Sequence, residues 1–501
     1  MKRNLCMLCL FVCITANAAV VWDGTSTPWT KGSGTEANPY LIETPSNLAY
    51  LSEQVKNGKY ASAYFLQTED FDMNSRYFTA IGSSLVFKGH YNGNGKYVSN
   101  LRFSNVSRYS ALFSYAVDAT ICNVIIKGSF STYSRQDYAA GILAHGKNVV
   151  LTNCVNMADI KVDSRYAAGI VAYIEGTECV IENCANRGKV YSSSSYYFDS
   201  PYYSYSGGIV GCNNGTCKLT SCSNMGMISA SSYSPSSASS GTVYAKSYSY
   251  SGGIIGCNES ICTLELCSNI GKITASAYSY WASSYPYSSG IVGYNSGNCA
   301  LKCCYNTGYS SNGIVGGTEK CRINYCYSTN SSTNKLGGLV VATNSYFVDS
   351  LTQSSYGSTA NGYCQDVVGN KMLKTKEQMQ SPSFLSLLNA EGDYFCPDYT
   401  NINNGYPILR WQLGDTPFYT IRGICKAEQG TVSGAGDYPQ GAQVKLTATP
   451  KDNYTFVGWS DGNTDNPRTI SVDTLDVTYV AQFDRLSYTV YVNQDCSITV
   501  E

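Results

Sequence analysis

The sequence SGGIVGCNNGTCKLTSCSNMG (residues 206–226) recurs as SGGIIGCNESICTLELCSNIG (residues 251–271) and as SSGIVGYNSGNCALKCCYNTG (residues 288–308). In each copy a Gly-Gly or Ser-Gly pair leads into two β-branched residues, a Cys or Tyr and a second Cys follow, and a C-x-N-x-G turn closes the copy. Short β-branched runs separated by Gly and Asn are typical of strands and turns. Recurrence of one phrase indicates a repeat architecture.

A single copy cannot bury its apolar side, whereas stacked copies pair each strand with its equivalent in the next coil. In-register pairing places identical side chains about 4.8 Å apart. We therefore predict that Ile209, Ile254 and Ile291 form one column. The predicted fold is all-β: a right-handed parallel β-helix (β-solenoid) with a short N-terminal capping helix and a small C-terminal β-rich repeat domain.

Degenerate copies beginning near residues 110, 139, 167, 312 and 336 extend the array. The Gly-Gly-Ile-Val-Gly phrase resembles the GLUG motif of secreted bacterial proteins, and the resemblance spans residues 20–415. GLUG proteins are commonly surface or adhesin-like proteins, many of them from Bacteroides-type bacteria. The resemblance therefore implies an extracellular, adhesin-like role.

The pattern changes after residue 414, where G-T-V, Y-x-x-G-x-x-V-x-L-x-A-x-P, F-x-G-W-S-D-G and A-x-F follow in order within residues 417–483. This segment resembles the divergent internalin B-repeat, a small β-rich module of surface proteins. Residues 485–501 restart the same pattern, as a closing strand or a truncated second module. The predicted domains are 1–18, signal peptide; 19–109, N-terminal cap and first coils; 110–350, GLUG-repeat β-helix; 351–415, C-terminal cap of the β-helix; 416–484, B-repeat-like domain; and 485–501, terminal strand or truncated second repeat.

The first residues, MKRNLCMLCLFVCITANA, combine a basic start, an apolar run and an A-x-A site. This pattern predicts a Sec signal peptide cleaved after Ala18, and hence a secreted or cell-surface protein. No later stretch has the ~18 apolar residues of a transmembrane helix. The net charge of -1 argues against a nucleic-acid partner. We expect a monomer.

Of the 22 cysteines, three fall in the predicted signal peptide. The others recur where further coils carry small apolar residues, so we expect stacked buried thiols rather than a disulfide framework. The repeat already explains their spacing, and we predict no metal and no cofactor. The string formed by Asp70, Asp72 and Asn74 lacks the Gly and Glu of a calcium loop and is assigned to a strand. Residues 45–56 are predicted to form the capping helix, with Ser46 as N-cap.

The chain has only two histidines, His90 and His145, and no H-E-x-x-H motif. Neither histidine belongs to a recognisable nucleophile arrangement, and the carboxylates of the repeat region are scattered. We therefore predict a protein that is not an enzyme. The alternative is a β-helical polysaccharide lyase or hydrolase.

Three insertions fall between the C-x-N-x-G turn and the next Gly-Ile, at residues 191–206, 231–251 and 276–289. They are rich in Tyr and Ser, the residues of adaptable recognition surfaces. They either build a binding face or form strands that lengthen the coils and stack Tyr ladders, and an exposed ladder satisfies both. We predict binding of a glycan or a host or matrix protein, with a purely structural stalk as a further alternative. The candidate ligand-binding residues are Tyr196, Tyr197, Tyr202, Tyr203, Tyr205, Tyr233, Tyr244, Tyr248, Tyr250, Tyr278, Tyr280, Trp281, Tyr285 and Tyr287.

Overall fold

The computed structural model describes residues 18–104, 108–194, 202–234, 246–279, 283–329, 340–348, 373–399, 401–487, 490–492 and 498–500. The predicted signal peptide lies outside these residues except for Ala18. The described residues form two compact units, one ending at Phe395 and one beginning at Cys396.

Three long sheets of parallel strands form the first unit, and between residues 109 and 306 the chain visits all three on each coil. Sheet 1 has 12 described strands: Val20–Val21, Phe71–Asp72, Tyr97–Ser99, Ile125–Lys127, Val155–Asn156, Ala185–Asn186, Ser223–Asn224, Ser268–Asn269, Tyr305–Asn306, Tyr327–Ser328, Tyr346–Val348 and Leu373–Lys374. Sheet 2 has 14 described strands: Tyr40–Ile42, Tyr64–Gln67, His90–Asn92, Phe113–Val117, Thr120–Cys122, Leu143–Lys147, Val150–Thr152, Val171–Glu182, Val210–Thr220, Ile255–Asn258, Ile261–Glu265, Val292–Lys302, Thr318–Asn324 and Val340–Thr343.

Sheet 3 has nine described strands: Tyr109–Ser110, Ser129–Ala140, Asp159–Ala168, Val190–Ser194, Tyr202–Gly207, Ile228–Ser234, Ser247–Gly252, Ile273–Ser279 and Ser284–Ser289. Equivalent residues of successive coils pair directly, as Val210 does with Ile255 and Ile255 with Val292. The all-β fold class is confirmed, as a solenoid of parallel strands.

The predicted isoleucine column is confirmed. The Ile209 N–H donates to the Ile254 carbonyl, and the Ile254 N–H donates to the Ile291 carbonyl, each at 3.0 Å. All three side chains are fully buried. A second aliphatic column, Leu219, Leu264 and Leu301, is likewise buried, so the solenoid interior is built from stacked identical residues.

Buried asparagines form a ladder along sheet 1. Each side-chain amide donates to the next, with 2.7 Å separating Asn186 Nδ2 from Asn224 Oδ1 and Asn224 Nδ2 from Asn269 Oδ1. An amide carries both a donor and an acceptor, so a stack of amides satisfies itself without water. A Cβ on Gly208 would collide with the Asn224 amide and with the next coil's backbone, which explains why glycine leads each repeat. The two ends of the repeat phrase therefore pack against each other.

The repeat cysteines form buried columns inside the solenoid. One column contains Cys179, Cys217, Cys262, Cys299 and Cys321. A second contains Cys154, Cys184, Cys222, Cys267, Cys304 and Cys326, whose thiols donate to backbone carbonyls. Within the described residues, the members of both columns are thiols that form no disulfide.

An α-helix, Pro45–Lys56, covers the N-terminal coils and buries Leu48, Leu51 and Val55. The predicted N-cap Ser46 is wrong. Thr44 is the cap, because its hydroxyl accepts the Asn47 N–H at 3.1 Å while the Asn47 side chain accepts the Thr44 N–H. Pro45 occupies the first helical position, where the missing N–H costs nothing. Two shorter α-helices, Lys376–Met379 and Pro382–Leu388, follow the last strand of sheet 1.

The second unit begins with Cys396 of strand Phe395–Cys396 and includes strand Ile408–Leu409 and a 3₁₀-helix, Arg410–Leu413. Two mainly antiparallel sheets follow, built from Phe418–Ile424, Gly430–Ser433, Gly436–Pro439, Gln443–Pro450, Tyr454–Trp459, Arg468–Ser471 and Val477–Arg485. Their core contains Leu446 and Trp459, and Val444, Leu446 and Ala448 alternate toward it as the sequence predicts. Strands Val490–Val492 and Ile498–Val500 form a final hairpin.

Candidate functional site

The insertions build an arm on sheet 3. Strand Asp159–Ala168 pairs along its first half with Val190–Ser194 and along its second half with Tyr202–Gly207. The insertion therefore divides one long strand into an outgoing and a returning strand. We call the two-layered structure of three such strand pairs the serine arm. Its outgoing strands are Val190–Ser194, Ile228–Ser234 and Ile273–Ser279, and its returning strands are Tyr202–Gly207, Ser247–Gly252 and Ser284–Ser289.

Serine hydroxyls fill the space between the two layers. Ser232 Oγ lies 2.6 Å from Ser247 Oγ and 2.7 Å from Ser249 Oγ. One coil earlier, Ser192 Oγ lies 2.6 Å from Ser204 Oγ and 2.7 Å from Ser206 Oγ, so the serine contacts are shifted along the strands from one coil to the next. All of these serines are buried. Serine is small enough for the layers to approach closely, and its hydroxyl donates and accepts, so the pairs satisfy each other.

The returning layer carries a row of stacked tyrosines on its outer side, Tyr203, Tyr248 and Tyr285, which we call the tyrosine row. Ring centroids are 4.8 Å apart between Tyr203 and Tyr248 and 5.0 Å apart between Tyr248 and Tyr285, with 11° between the planes in each pair. The three side chains are half-buried. Because the rings cover each other's faces, a ligand meets their edges and hydroxyl groups.

A second tyrosine column lies beside the row, nearer the body of the solenoid. It includes Tyr205 and Tyr250, which are only 2% and 5% exposed. They pack against Cys212 and Cys257, small residues at positions where the neighbouring coils carry Tyr173 and Tyr294. Burial raises the pKa of Tyr205 far above its ordinary value. These two tyrosines act as packing residues and not as contact residues.

Two further candidates occupy the opposite side of the arm. Tyr233 and Tyr278 are 47% and 51% exposed, and their rings stack at 5.5 Å. Successive side chains of a strand point to opposite faces. Ser232 points into the arm, so Tyr233 points away from the returning layer that carries Tyr248. The single Tyr-rich face expected from the sequence is thus divided between two outer faces.

The remaining candidates are only partly visible. Tyr287 stands in the column of Tyr250, with centroids 5.8 Å apart. The backbone of Tyr202 belongs to a returning strand. Tyr196, Tyr197, Tyr244, Tyr280 and Trp281 lie outside the described residues.

Sequence reasoning missed Tyr138 and Tyr166, which continue the inner column at centroid spacings of 5.2 Å and 5.0 Å. A signal was present, because a tyrosine stands three residues before the repeat glycine in five successive coils. It also missed Arg165, whose guanidinium carbon lies 5.1 Å from the Tyr203 ring centroid. No periodic pattern marks this arginine.

His145 lies in the corner between sheets 2 and 3, stacked on Tyr115 with centroids 4.3 Å apart. Its Nε2 is 3.4 Å from Glu175 Oε1. Burial lowers the pKa of His145, while the Glu175 carboxylate opposes that shift. Among the described residues, the imidazole has ring contacts with Tyr115, Tyr138 and Tyr173 and an ionic contact with Glu175.

One cluster among the described residues has metal-ligand chemistry: Cys212, Cys257 and Glu259, whose ligand atoms lie within 4.8 Å of one another. Burial raises the pKa of both thiols. A metal ion binds the thiolate form of cysteine. Because burial favours the protonated thiols, it disfavours metal binding by this cluster. Burial also raises the pKa of Glu259, and Arg165 opposes that rise.

Comparison with known proteins identifies the C-terminal module. Residues 423–487 match the divergent InlB B-repeat domain family, which confirms the resemblance drawn from the sequence for that segment. Among curated proteins, no sequence matches this chain. The chain is similar to a solved protein from Bacteroides ovatus described as a candidate immunoglobulin A1 protease. That similarity has 17% identity and a TM-score of 0.41, and covers 76% of this chain and 95% of the other.

None of the helices in the described ranges combines the length and the apolar character that a membrane crossing requires.

Proposed function

We propose that this β-repeat protein is a non-catalytic, adhesin-like protein of the cell surface that binds a glycan or a host or matrix protein through the serine arm. The observation that carries the proposal is the tyrosine row, three half-buried phenols held in register at 4.8 Å and 5.0 Å. The GLUG-like repeats and the predicted export after Ala18 agree with this role, as does the InlB-like module.

The physical support lies in how the row is held. Each tyrosine has two side-chain torsions and offers both apolar area and a hydroxyl, so little conformational entropy is lost when a ligand binds. The rings are already stacked, and Ser–Ser hydrogen bonds fix the strand beneath them. A pre-organised row on a rigid element binds better than the same residues on a mobile loop.

The test compares the two faces of the arm. The variant Tyr203→Ala/Tyr248→Ala/Tyr285→Ala removes the row, and Tyr233→Ala/Tyr278→Ala removes the exposed pair on the opposite face as a matched control. Full-length protein is assayed on a glycan array and on immobilised matrix proteins. We expect the row variant to lose at least about tenfold in affinity for the bound ligand, because aromatic anchors dominate interface energy, and the control to stay within about twofold.

Other results would overturn the proposal. Release of reducing sugar from a polysaccharide without retained binding would identify the enzyme alternative. Deletion of residues 231–251 with unchanged attachment to cells or ligand would identify a purely structural stalk. Equal losses in the row variant and the control would remove the row as the binding site.

A further inference from the structure

Two cations bracket the tyrosine row. The Arg165 guanidinium carbon lies 5.1 Å from the ring centroid of Tyr203, and Lys246 Nζ lies 6.0 Å from the ring centroid of Tyr285. Both cationic residues are exposed. Charged residues are only 14% of the chain, so two positive charges at the ends of one short row set this surface apart.

The charges fit the strand geometry. Lys246 directly precedes strand Ser247–Gly252 and lies two residues before Tyr248, so the side-chain alternation places both on the outer face of the returning layer. Arg165 belongs to strand Asp159–Ala168, the coil before Tyr203. Arg165 also hydrogen-bonds the Tyr205 side chain and interacts electrostatically with the Glu259 carboxylate.

From this arrangement we infer that the tyrosine row takes an acidic polysaccharide, with carboxylate groups of the sugar chain meeting Arg165 and Lys246. The inference rests on the proposed function and specifies its ligand class. A cation–π contact with a tyrosine ring orients the Arg165 or Lys246 side chain. The cationic group can still form an ion pair with an anion of the ligand. Phenol edges that repeat every 4.8 Å to 5.0 Å offer hydroxyl groups along an extended, hydroxyl-rich chain. A protein ligand would instead need pockets for its anchor side chains, and stacked rings present none.

The experiment separates charge from shape. Full-length protein is titrated with polygalacturonic acid, with the same polymer after its carboxylates are reduced to neutral alcohols, and with polyglutamate, at about 50 and 300 mM salt. At low salt we expect the polyuronate to bind about three to ten times more tightly than its reduced form, as two exposed ion pairs allow. The difference should shrink at high salt because exposed charges are screened.

Variants locate the charges. Arg165→Gln/Lys246→Gln should abolish the preference for the charged polymer and leave affinity for the neutral polymer within about twofold. Glu259→Gln should change binding in the opposite direction, raising affinity for the polyuronate by about twofold, because it removes a carboxylate that interacts with Arg165 and would repel the polymer. Lys127→Gln is the matched control, since Lys127 also stacks on a tyrosine, Tyr97 at 3.8 Å, but on sheet 1.

The outcomes distinguish the two levels of the proposal. Equal binding of charged and neutral polymers that still requires the tyrosine row would overturn the inference and leave the proposed function standing. Polyglutamate bound as tightly as polyuronate would replace the glycan by an acidic protein. If none of the polymers or matrix proteins binds, the inference and the proposed function both fail.

Discussion

The body of the solenoid and the serine arm use the same stacking but bury opposite chemistry. In the body, Ile254 and its equivalents form one buried hydrophobic core with the leucine and cysteine columns. In the arm, the space between the layers is filled by hydroxyl groups such as those of Ser232 and Ser249, and the rings of the tyrosine row lie on the outer side. In-register pairing therefore fixes position in both regions, while different forces hold them.

The difference has an energetic consequence. Burying an Ile side chain contributes roughly 1.5–3 kcal/mol through the hydrophobic effect, whereas an intramolecular hydrogen bond adds a net ~0.5–1.5 kcal/mol. The body therefore contributes most of the free energy of unfolding of this unit. The hydrogen bonds of the arm contribute little more than is needed to order the arm itself. Regions with few buried apolar contacts open locally before the rest. The tyrosine row, for which we propose a binding role, therefore lies on the less stable of the two regions.

The largest effect should come from the body. Ile254→Ala removes a fully buried member of the isoleucine column and leaves a cavity. We expect a loss of about 3 kcal/mol in the free energy of unfolding, measured by chemical denaturation followed by far-UV circular dichroism. Ile261→Ala, in the same coil but 45% exposed, should change stability by less than about 0.5 kcal/mol. Equal losses would show that the column does not carry the body's stability.

The asparagine ladder should come next. Asn224→Ala removes the side-chain amide that donates hydrogen bonds to Asn269 Oδ1 and to the Gly226 carbonyl. Because buried polar groups without partners cost ~1–3 kcal/mol each, we expect stability to fall by about 2 kcal/mol in the same denaturation assay. Asn214→Ala, an exposed neighbour, is the control. A loss confined to Asn214→Ala would exclude a stabilising ladder.

A smaller effect is expected in the arm. Ser232→Ala removes both hydroxyl contacts to Ser247 and Ser249 and should cost about 1 kcal/mol. The change should appear as faster amide hydrogen exchange confined to the outgoing and returning strands, with exchange in the body unchanged. Ser193→Ala, on the exposed side of the same layer, should leave exchange at its wild-type rate. Faster exchange throughout the body would contradict the separation of the two regions.

The smallest effect concerns the corner where the regions meet. Burial lowers the pKa of His145 below its ordinary value, so the unfolded chain takes up a proton at higher pH than the folded one. The contribution of His145 to stability is therefore complete above the ordinary pKa and declines as pH falls through it toward the folded value. In denaturation experiments between about pH 7.5 and 5.5, His145→Gln should flatten this decline. An unchanged slope would mean that Glu175 cancels the effect of burial.

Much of the body is predictable from the sequence because stacking makes it local. When the repeat sequences are aligned, Ile209 falls opposite Ile254, and the two residues are also neighbours in the structure. The same alignment predicts that the repeat cysteines are buried. The B-repeat-like module is equally predictable from the sequence, because its motifs occur in a fixed order. The N-cap was missed because Thr44 and Ser46 are both good capping residues, and only backbone geometry distinguishes them.

The serine interior of the arm was not predictable in this way. An alternation of Tyr and Ser is compatible both with one lengthened strand and with two strands that face each other. Which residues become partners depends on how the outgoing and returning strands face each other, as Ser192 and Ser204 do. The burial of Tyr205 similarly depends on Cys212, a residue on a different sheet.

The sequence by itself determined the periodic part of this protein: the repeat length, the identity of each column and the all-β class. Because neighbouring coils repeat the same residues and pair in register, residues that align in sequence are also neighbours in the structure. The tertiary structure alone decided which tyrosines face solvent and that Arg165 and Lys246 bracket the tyrosine row. Those relations join different strands and layers, and their geometry is set by packing that no repeat in the chain encodes.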